Sequence, residues 1–338
     1  MKLKPSDMVR FVLGRVGVRD SSVVVGPAIG EDSAIVDMGS FYLVLHSDPI
    51  TGAVANIGWL SVHIASNDVA VRGARPRWLL PVILLPEGSG VDLVDSITAQ
   101  IDEAARELGA MVVGGHTEYT PSLDRPIISM TAVGVVEKDK LVVTGGARVG
   151  DYVIMTKSAG IEGTSILATD FREKLLEKGV PVSIIEKARG YTRMISVVRE
   201  ALTLADMRYA TSMHDPTEGG LVGGLTEVAY ASGKTIEVWE DRIPVSEETR
   251  IICRALNVNP LKLVSSGVLI ATIPGNKVEE ALRELEKIGV KATVIGRVKE
   301  YNGVLLELHR VDGGIERYDE VHVEDELMRL VSEEYKAD

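Results

Sequence analysis

Cysteine is almost absent from this chain of 338 residues, which contains only Cys253. A single cysteine excludes an internal disulfide and any metal site built from several cysteines. Its neighbours Ile251, Ile252 and Leu256 are apolar, so the sequence predicts that this thiol is packed in a core. Basic residues are in the minority, since 37 basic and 49 acidic side chains give a net charge of -12. This balance argues against a nucleic-acid partner, which needs a basic face.

The chain also lacks a long uninterrupted apolar run, and its first residues contain no apolar core of a signal peptide. We therefore predict a cytoplasmic protein with no membrane partner. The hydrophobic fraction of 45% is that of a globular protein, and 338 residues suffice for two domains. Glycines punctuate residues 138–150, and the predicted domains are residues 1–145 and 146–338.

Hydrophobic periodicity predicts that helices and strands alternate along the chain. The predicted helices cover residues 56–73, 91–108, 182–204, 246–256 and 277–288. The predicted strands cover residues 34–36, 41–46, 78–85, 111–113, 127–136, 152–156, 235–239, 268–273, 293–298 and 304–308. Residues 158–164 form a glycine-containing turn that opens a further helix. Such a turn either presents amide groups to an anion or is simply a tight connection.

The helix over residues 56–73 contains a carboxylate at an unusual place. Ile57, Leu60, Ile64 and Asp68 follow one another at spacings of three or four, so they share one helix face, and that face should be buried. A buried carboxylate is costly unless a positive or hydrogen-bonding group meets it. Arg72, four residues further on, provides an ordinary intrahelical partner. The alternative is a metal or metal-nucleotide site, and Asp68 taken alone favours the ion pair.

Two other aspartates lie in loops next to predicted strands. Asp32 follows Gly30 just before the strand over residues 34–36, and Asp48 follows the strand over residues 41–46. Aspartate is also common in turns, so each can be a turn former. Together with Asp68, however, these residues supply three hard oxygen ligands of the kind that Mg²⁺ prefers, with its remaining positions taken by water and phosphate.

The segment that starts at Asp215 has the local chemistry of a helix start. Asp215 can cap the helix, Pro216 suits the first helical position, and Glu218 can complete a capping box. The glycines that follow, including Gly219 and Gly220, each cost about 1 kcal/mol of helix stability relative to alanine. This cost indicates that another group packs or binds close to the backbone there.

Several short motifs in this order resemble those of the aminoimidazole ribonucleotide (AIR) synthetase superfamily, which includes hydrogenase maturation, thiamine-monophosphate kinase and selenophosphate synthetase branches. The motifs are IGEDSA (29–34), SD (47–48), NDVAVRGARP (67–76), GGHT (114–117), GD (150–151) and DPTEGGL (215–221). The last motif is most similar to the hydrogenase maturation branch, HypE. The resemblance implies a two-domain α+β fold, in which an N-terminal α/β domain forms a dimeric β-barrel and a C-terminal α+β domain closes the cleft.

The resemblance also implies a homodimer that binds ATP with Mg²⁺ and transfers the terminal phosphoryl group to a small-molecule acceptor. It places Mg²⁺ on Asp32, Asp48 and Asp68. It assigns nucleotide contacts to these three residues and to Asn67, Gly114, Gly115, His116, Thr117, Asp215, Gly219 and Gly220. Asp68 and His116 are the catalytic candidates. Mg²⁺ binds imidazole poorly, so Glu118 can replace His116 as a ligand, while His116 contacts phosphate, shuttles a proton or has only a structural role.

The sequence departs from the HypE pattern at its end. HypE carries a C-terminal cysteine that is carbamoylated and dehydrated, whereas residues 333–338 contain no cysteine. Two hypotheses follow. The chain is an ATP-dependent phosphotransferase or synthetase, with a protein partner supplying the missing nucleophile where one is needed. Alternatively, it is a nucleotide-binding maturation factor or scaffold without turnover of its own.

Overall fold

The computed structural model describes Leu3, residues 5–51 and residues 55–334. The first part of the chain forms a seven-stranded sheet with helices packed on it. Its strands are β1 (Val23–Val25), β2 (Ala34–Asp37), β3 (Phe41–Ile50), β4 (Arg75–Pro86), β5 (Met111–Val112), β6 (His116–Thr120) and β7 (Ile127–Glu137). Its helices are α1 (Pro5–Met8), which continues as a π-helical turn over Val9–Leu13, α2 (Ile57–Ala70) and α3 (Val91–Leu108).

The strand order in this sheet is β1-β2-β3-β7-β4-β5, and β6 also pairs with β4. The strand pairs are antiparallel, including β4 with β7, except that β4 runs parallel to β5 and to β6. Along β7 buried and half-buried residues alternate, as expected for a strand with one covered face. Helix α2 covers that face, and Gly134 lets it approach, because a Cβ there would lie 2.5 Å from Val69 Cγ1.

Helix α2 is buried on every side, and not on the single face that the sequence predicts. All of its residues from Ile57 to Ala70 are buried. One side packs on the first sheet, and the other contacts the second half of the chain, where Trp59 Nε1 donates to the carbonyl oxygen of Thr192. The whole helix therefore belongs to the core, including its polar residues.

The second part of the chain forms another seven-stranded sheet, in the order β14-β13-β10-β12-β8-β11-β9. Its strands are β8 (Tyr152–Thr156), β9 (Ser212–His214), β10 (Thr235–Trp239), β11 (Ile270–Ile273), β12 (Ala292–Lys299), β13 (Leu306–His309) and β14 (Ile315–Tyr318). Its helices are α4 (Ile161–Asp170), α5 (Arg172–Glu177), α6 (Val182–Arg189), α7 (Val198–Asp206), α8 (Gly220–Ser232), α9 (Glu247–Leu256), α10 (Val278–Lys287) and α11 (Glu326–Glu334). Within this second sheet, β10 and β13 are the only strands that pair in parallel.

Most predicted elements are confirmed, and two predictions about where helices begin and end are wrong. The single helix predicted over residues 182–204 is interrupted, because a 3₁₀ turn at Gly190–Met194 separates α6 from α7. The predicted cap at Asp215 is also wrong: α8 begins five residues later, with Gly219 as its N-cap in the left-handed conformation. Asp215 instead lies buried ahead of the helix.

The mixed helices and sheets confirm the α+β class. The first sheet is open within one chain, so the barrel across a dimer axis stays a prediction. The domain boundary at residues 145/146 stays a prediction as well; a 3₁₀ turn at Thr144–Gly146 lies there. No helix in the described ranges is long and apolar enough to cross a membrane. The chain end at 335–338 and residues 52–54 lie outside the described residues.

Candidate functional site

Three aspartates from distant parts of the chain converge. Asp32, Asp68 and Asp215 each offer a carboxylate oxygen, and these oxygens all lie within 4.8 Å of one another. Asp32 lies in the loop before β2, Asp68 near the end of α2, and Asp215 directly after β9. Gly30 brings the first loop close to α8, since its φ is 81° and a Cβ there would lie 3.0 Å from the carbonyl oxygen of Glu227. Glycine is therefore needed at position 30 for Asp32 to reach this group.

Asp32 is the member of this group that has counter-charges. Its carboxylate accepts a hydrogen bond from fully buried Arg72 at 2.6 Å and lies 2.9 Å from Nδ1 of His214. Arg72 also donates to the Thr144 hydroxyl, and His214 Nε2 lies 2.9 Å from Glu227. Burial opposes the ionisation of Asp32, but the charges of His214 and Arg72 outweigh it and hold the pKa of Asp32 below its ordinary value. Asp32 is therefore ionised.

Asp68 and Asp215 are less well compensated. Asp68 contacts His46 Nε2 at 3.3 Å, and Arg72, its predicted partner, is turned towards Asp32 instead. Asp215 is 1% exposed, and neither of its oxygens has a hydrogen-bond partner among the described residues. Burial, and then the neighbouring negative charges, raise the pKa of both carboxyl groups well above the ordinary range.

This donor set fits a divalent cation. A buried carboxylate without a partner is unfavourable, and a cation between the three side chains would remove that cost. The donors are all carboxylate oxygens, which Mg²⁺ prefers, and three protein ligands leave positions for water and phosphate. Asp215, which the sequence analysis assigned to the nucleotide, is thus a candidate metal ligand here.

Asp48 lies close to this group without belonging to it. It is half-buried on β3, opposite Met130 of β7, rather than in a loop after the strand. Its negative charge adds to burial and to the charge of Asp32 in raising the pKa of Asp68. The assignment of Asp48 as a metal ligand stays a prediction.

The GGHT segment lies elsewhere on the surface. Gly114, Gly115, His116 and Thr117 line a cavity of about 470 Å³, and none of the three clustered aspartates is among its lining residues. His116 is on β6 with a largely exposed side chain, and its Nε2 lies 3.0 Å from Glu118. Within one chain, the structure therefore does not join this segment to the aspartates. Its predicted roles in nucleotide binding and catalysis stay predictions.

Asn67, and Gly219 and Gly220 at the start of α8, make their contacts within the protein itself. Asn67 is fully buried, and its amide group donates to the carbonyl oxygen of Ile195 and accepts from the amide of Val197. Gly219 donates its amide to Asp325 at 2.9 Å, and a Cβ on Gly220 would lie 2.6 Å from the carbonyl oxygen of Leu263. Close packing thus explains the glycines, and the predicted nucleotide contacts of all three residues stay predictions.

Sequence reasoning missed the residues that surround the aspartates. His214 contacts Asp32 through Nδ1 and Glu227 through Nε2, and Glu162 at the start of α4 is another buried carboxyl group. One signal was available, because His214 directly precedes Asp215 and is one of only six histidines in the chain. Glu162 lies in the predicted turn over residues 158–164 without having been singled out, and Glu227 follows no motif.

Glu162 gives the stability of the protein a pH dependence that can be measured. Burial raises the pKa of Glu162 to about 7, whereas an unfolded glutamate has a pKa of about 4.3. As the pH rises, the unfolded state loses its proton first, so the folded state becomes less favourable from about pH 4 up to about pH 7. Relative to Glu162→Gln, the wild type should lose about 2 to 3 kcal/mol of unfolding free energy between pH 5 and pH 8.

Urea unfolding of both proteins at several pH values between 5 and 8 checks this expectation. The comparison uses the difference between the two pH curves, so a constant effect of the buried amide cancels. Curves that run parallel across this range would show that Glu162 titrates normally in the folded protein.

Two family matches cover most of the chain. Residues 30–136 match the family described as AIR synthase related protein, N-terminal domain, and residues 148–308 match its C-terminal domain. The two-domain α+β fold and the converging aspartates therefore define a class of protein, and the chain belongs to the AIR synthase related family.

Relatives within that family are similar over most of their length. The hydrogenase expression/formation protein HupE of Azotobacter chroococcum is 32% identical over 295 residues, covering 84% of this chain and 83% of that protein. The carbamoyl dehydratase HypE of Azotobacter vinelandii is 34% identical over 247 residues, covering 72% and 70%. A crystal structure of the hydrogenase maturation protein HypE in complex with ATP is 28% identical, with a TM-score of 0.72 over 95% of this chain and 92% of that one.

Proposed function

We propose that this protein is an ATP- and Mg²⁺-dependent enzyme that transfers the terminal phosphoryl group of ATP to an oxygen of a small acceptor. One observation carries the proposal: Asp32, Asp68 and Asp215 converge within 4.8 Å, and Asp215 has no partner within the described chain. The ATP complex of the similar HypE structure and the carbamoyl dehydratase relatives support the same class of chemistry.

Each residue of the group has a proposed role. Asp32, Asp68 and Asp215 would hold Mg²⁺, with Asp48 as a further ligand or as a contact to bound water. When bound, Mg²⁺ would neutralise phosphate charge and orient the terminal phosphoryl group. Arg72 and His214 keep Asp32 ionised and fixed in orientation, so that this ligand is in place before the nucleotide arrives. Catalysis would then consist mainly of positioning and charge neutralisation.

ADP formation by the purified protein tests the proposal. The protein is incubated with ATP, with and without MgCl₂, in the presence of amides, alcohols and phosphate monoesters. Mg²⁺-dependent turnover that an acceptor stimulates is the expected result. Nucleotide binding with no turnover under any of these conditions would contradict it.

That second outcome would favour the other candidate function, a nucleotide-binding maturation factor or scaffold. The observation that favours it is the name of a relative, the hydrogenase expression/formation protein HupE, at 32% identity. A scaffold would bind ATP at the same aspartates and use it to change its affinity for a partner protein. Pull-down experiments with and without ATP would then show a nucleotide-dependent partner.

Cys253 is not the acceptor. Its side chain belongs to a core cluster that also contains residues of α4, α6 and α11, and the residue is 2% exposed. Burial raises the pKa of the thiol to about 12, so it stays protonated and cannot act as a nucleophile at neutral pH. An acceptor thiol, where the reaction uses one, must therefore come from another molecule.

We also propose that the protein is a homodimer that forms through the edge of the first sheet. Apolar residues there are unusually exposed: Met111 is 66% exposed, Val113 48% and Tyr119 48%. Large apolar side chains exposed along a sheet edge favour a protein interface. Such a dimer would also cover the cavity beside His116, which one chain leaves open.

Replacing Met111 with Glu is expected to dissociate this dimer, because a buried unpaired charge at an interface is strongly unfavourable. Size-exclusion chromatography with light scattering should show twice the mass of one chain for the wild type and a single-chain mass for the variant. Val311→Glu is the matched control, since Val311 is 74% exposed in the turn before β14. A dimer that survives Met111→Glu would place the interface elsewhere.

A further inference from the structure

The segment between β14 and α11, residues 319–325, runs across the start of α8. The hydroxyl of Thr226 on α8 donates to the carbonyl oxygen of Val321 at 3.1 Å. The carbonyl oxygen of Val323 lies so near Gly219 that a Cβ on this glycine would be 2.9 Å from it. The group that packs against the backbone at Gly219 is therefore the 319–325 segment of the same chain.

Asp325, at the end of this segment, joins α8 to α11. The residue is 5% exposed, and its Oδ2 atom accepts a hydrogen bond from the amide of Gly219 at 2.9 Å. Its Oδ1 atom accepts from the amides of Leu327 at 2.8 Å and Met328 at 3.4 Å, which caps α11. One carboxylate therefore fixes the N-cap residue of α8 against the first turn of α11.

The backbone between Asp215 and Gly219 is short and held on both sides. Pro216 packs on α8, since a Cβ on Gly224 would lie 2.6 Å from the Cβ of Pro216. The carbonyl oxygen of Thr217 accepts from the amide of Gly220 at 3.0 Å and from that of Ser265 at 3.4 Å. Residues 216–218 therefore form a restrained connection, and a displacement at Gly219 moves Asp215 as well.

Asp215 depends on its backbone more than the other two aspartates of the group do. The Asp32 carboxylate is held by the side chains of Arg72 and His214, and Asp68 lies on the buried helix α2. Neither carboxylate oxygen of Asp215 has a hydrogen-bond partner in the described part of the chain. Among the described residues, backbone contacts and close packing thus set the position of this carboxylate.

We infer that Asp325 is a positioning residue for the cation site, because it holds the backbone at Gly219 and thereby directs the Asp215 carboxylate towards Asp32 and Asp68. This inference rests on the proposed function, in which a divalent cation occupies the three aspartates. A ligand that is already in place does not have to be ordered when the cation binds, which favours affinity. Outer residues that fix metal ligands typically contribute about 10- to 100-fold to metal affinity.

The same connection acts in the opposite direction. If the contact of Asp325 with Gly219 raises the affinity for a cation, a bound cation must stabilise that contact by the same factor. Cation binding should therefore slow hydrogen exchange at the amides of Gly219 and Leu327, the two groups that Asp325 joins. A residue that only stabilises the fold would not produce this effect.

The test compares the wild type with Asp325→Ala, with Asp325→Asn and with the control Ser246→Ala, which removes the side-chain cap of another helix, α9. Binding of MnCl₂ without nucleotide is measured from the electron paramagnetic resonance signal of free Mn²⁺, an ion that takes the same oxygen ligands as Mg²⁺. Burial raises the pKa of Asp325 to about 6, so a measurement at pH 8 keeps its carboxylate ionised. Circular dichroism verifies that each variant is folded.

We expect Asp325→Ala to weaken Mn²⁺ binding about 10-fold or more, and Ser246→Ala to leave it within about twofold. Asp325→Asn should lie between the wild type and Asp325→Ala, because its single acceptor oxygen can serve Gly219 or α11 but not both. In the wild type, saturating MgCl₂ should slow exchange of peptides that contain Gly219 or Leu327 about 10-fold, as measured by mass spectrometry.

The outcomes separate this inference from the proposed function. A folded Asp325→Ala variant with wild-type Mn²⁺ affinity would overturn the role of Asp325 and leave the cation site standing. Should that variant not fold, wild-type affinity in Asp325→Asn has the same meaning. Equal losses in Asp325→Ala and Ser246→Ala would show a general effect of stability and also overturn the role. A wild type that binds no Mn²⁺ would overturn the cation site, and the proposed function with it.

Discussion

Replacing Asp68 with Asn is expected to abolish magnesium-dependent ATP binding while the protein remains folded. The substitution removes one carboxylate from the group of three and keeps the size of the side chain. Loss of a hydrogen-bonded neighbour of a metal ligand typically weakens metal affinity 10- to 100-fold, so loss of a ligand itself should cost at least about 100-fold. Calorimetric titration with a non-hydrolysable ATP analogue, in MgCl₂ and in EDTA, measures the effect.

The same substitution should raise the thermal midpoint of the metal-free protein. Burial and the charges of Asp32 and Asp48 make the ionised form of Asp68 unfavourable, and an amide carries no charge to be repelled. Asp241→Asn, at an exposed position after β10, is the matched control. It should change neither the nucleotide affinity nor the thermal midpoint. Unchanged nucleotide affinity in Asp68→Asn would remove Asp68 from the proposed site.

Replacing Arg72 with Met is expected to destabilise the protein by about 3 to 5 kcal/mol, the cost of breaking a buried ion pair from one side. Arg72 has no exposed surface and pairs with Asp32 at 2.6 Å and with Glu31 at 3.4 Å. Methionine fills much of the same volume, so the loss should come from the Asp32 and Glu31 carboxylates, which both lose this cation, although Asp32 keeps His214. Urea unfolding at neutral pH, without Mg²⁺, measures this loss of unfolding free energy.

Two further variants show whether the effect is electrostatic. Arg106→Met removes an exposed ion pair with Asp102 on α3 and should cost less than about 1 kcal/mol. The double variant Arg72→Met/Asp32→Asn should be less destabilised than the sum of the two single changes, because the unpaired charge is gone. A double variant with fully additive losses would indicate that Arg72 acts through packing alone.

The fold was largely predictable from the sequence because its elements have clear local signals. The amphipathic helix α3 has the predicted bounds, and Ser246 caps α9 as a serine before an acidic first turn should. Local signals failed where tertiary contacts decide the structure. The chain between α6 and α7 turns at Gly190–Met194, and a helical pattern on both sides of that turn did not reveal it.

The candidate site was predictable only in part, for a similar reason. Asp32 and Asp68 were identified from their motifs, and the structure places them together with Asp215. The partner of Arg72 could not be read from the sequence, because spacing on a helix favours Asp68 whereas the folded chain presents Asp32. Glu162 lies in the predicted turn over residues 158–164, but the burial of its carboxyl group could not be read from the sequence.

Neighbouring residues on α2 connect two properties of the molecule. Asn67 holds the backbone of Ile195 and Val197 through two buried hydrogen bonds, and Asp68 beside it belongs to the acidic group. Both residues are fixed on one rigid helix turn, so a rotation of one half of the chain against the other would have to move the carboxylate as well. A ligand bound to the acidic group would therefore also restrain the orientation of the two halves of the chain relative to each other.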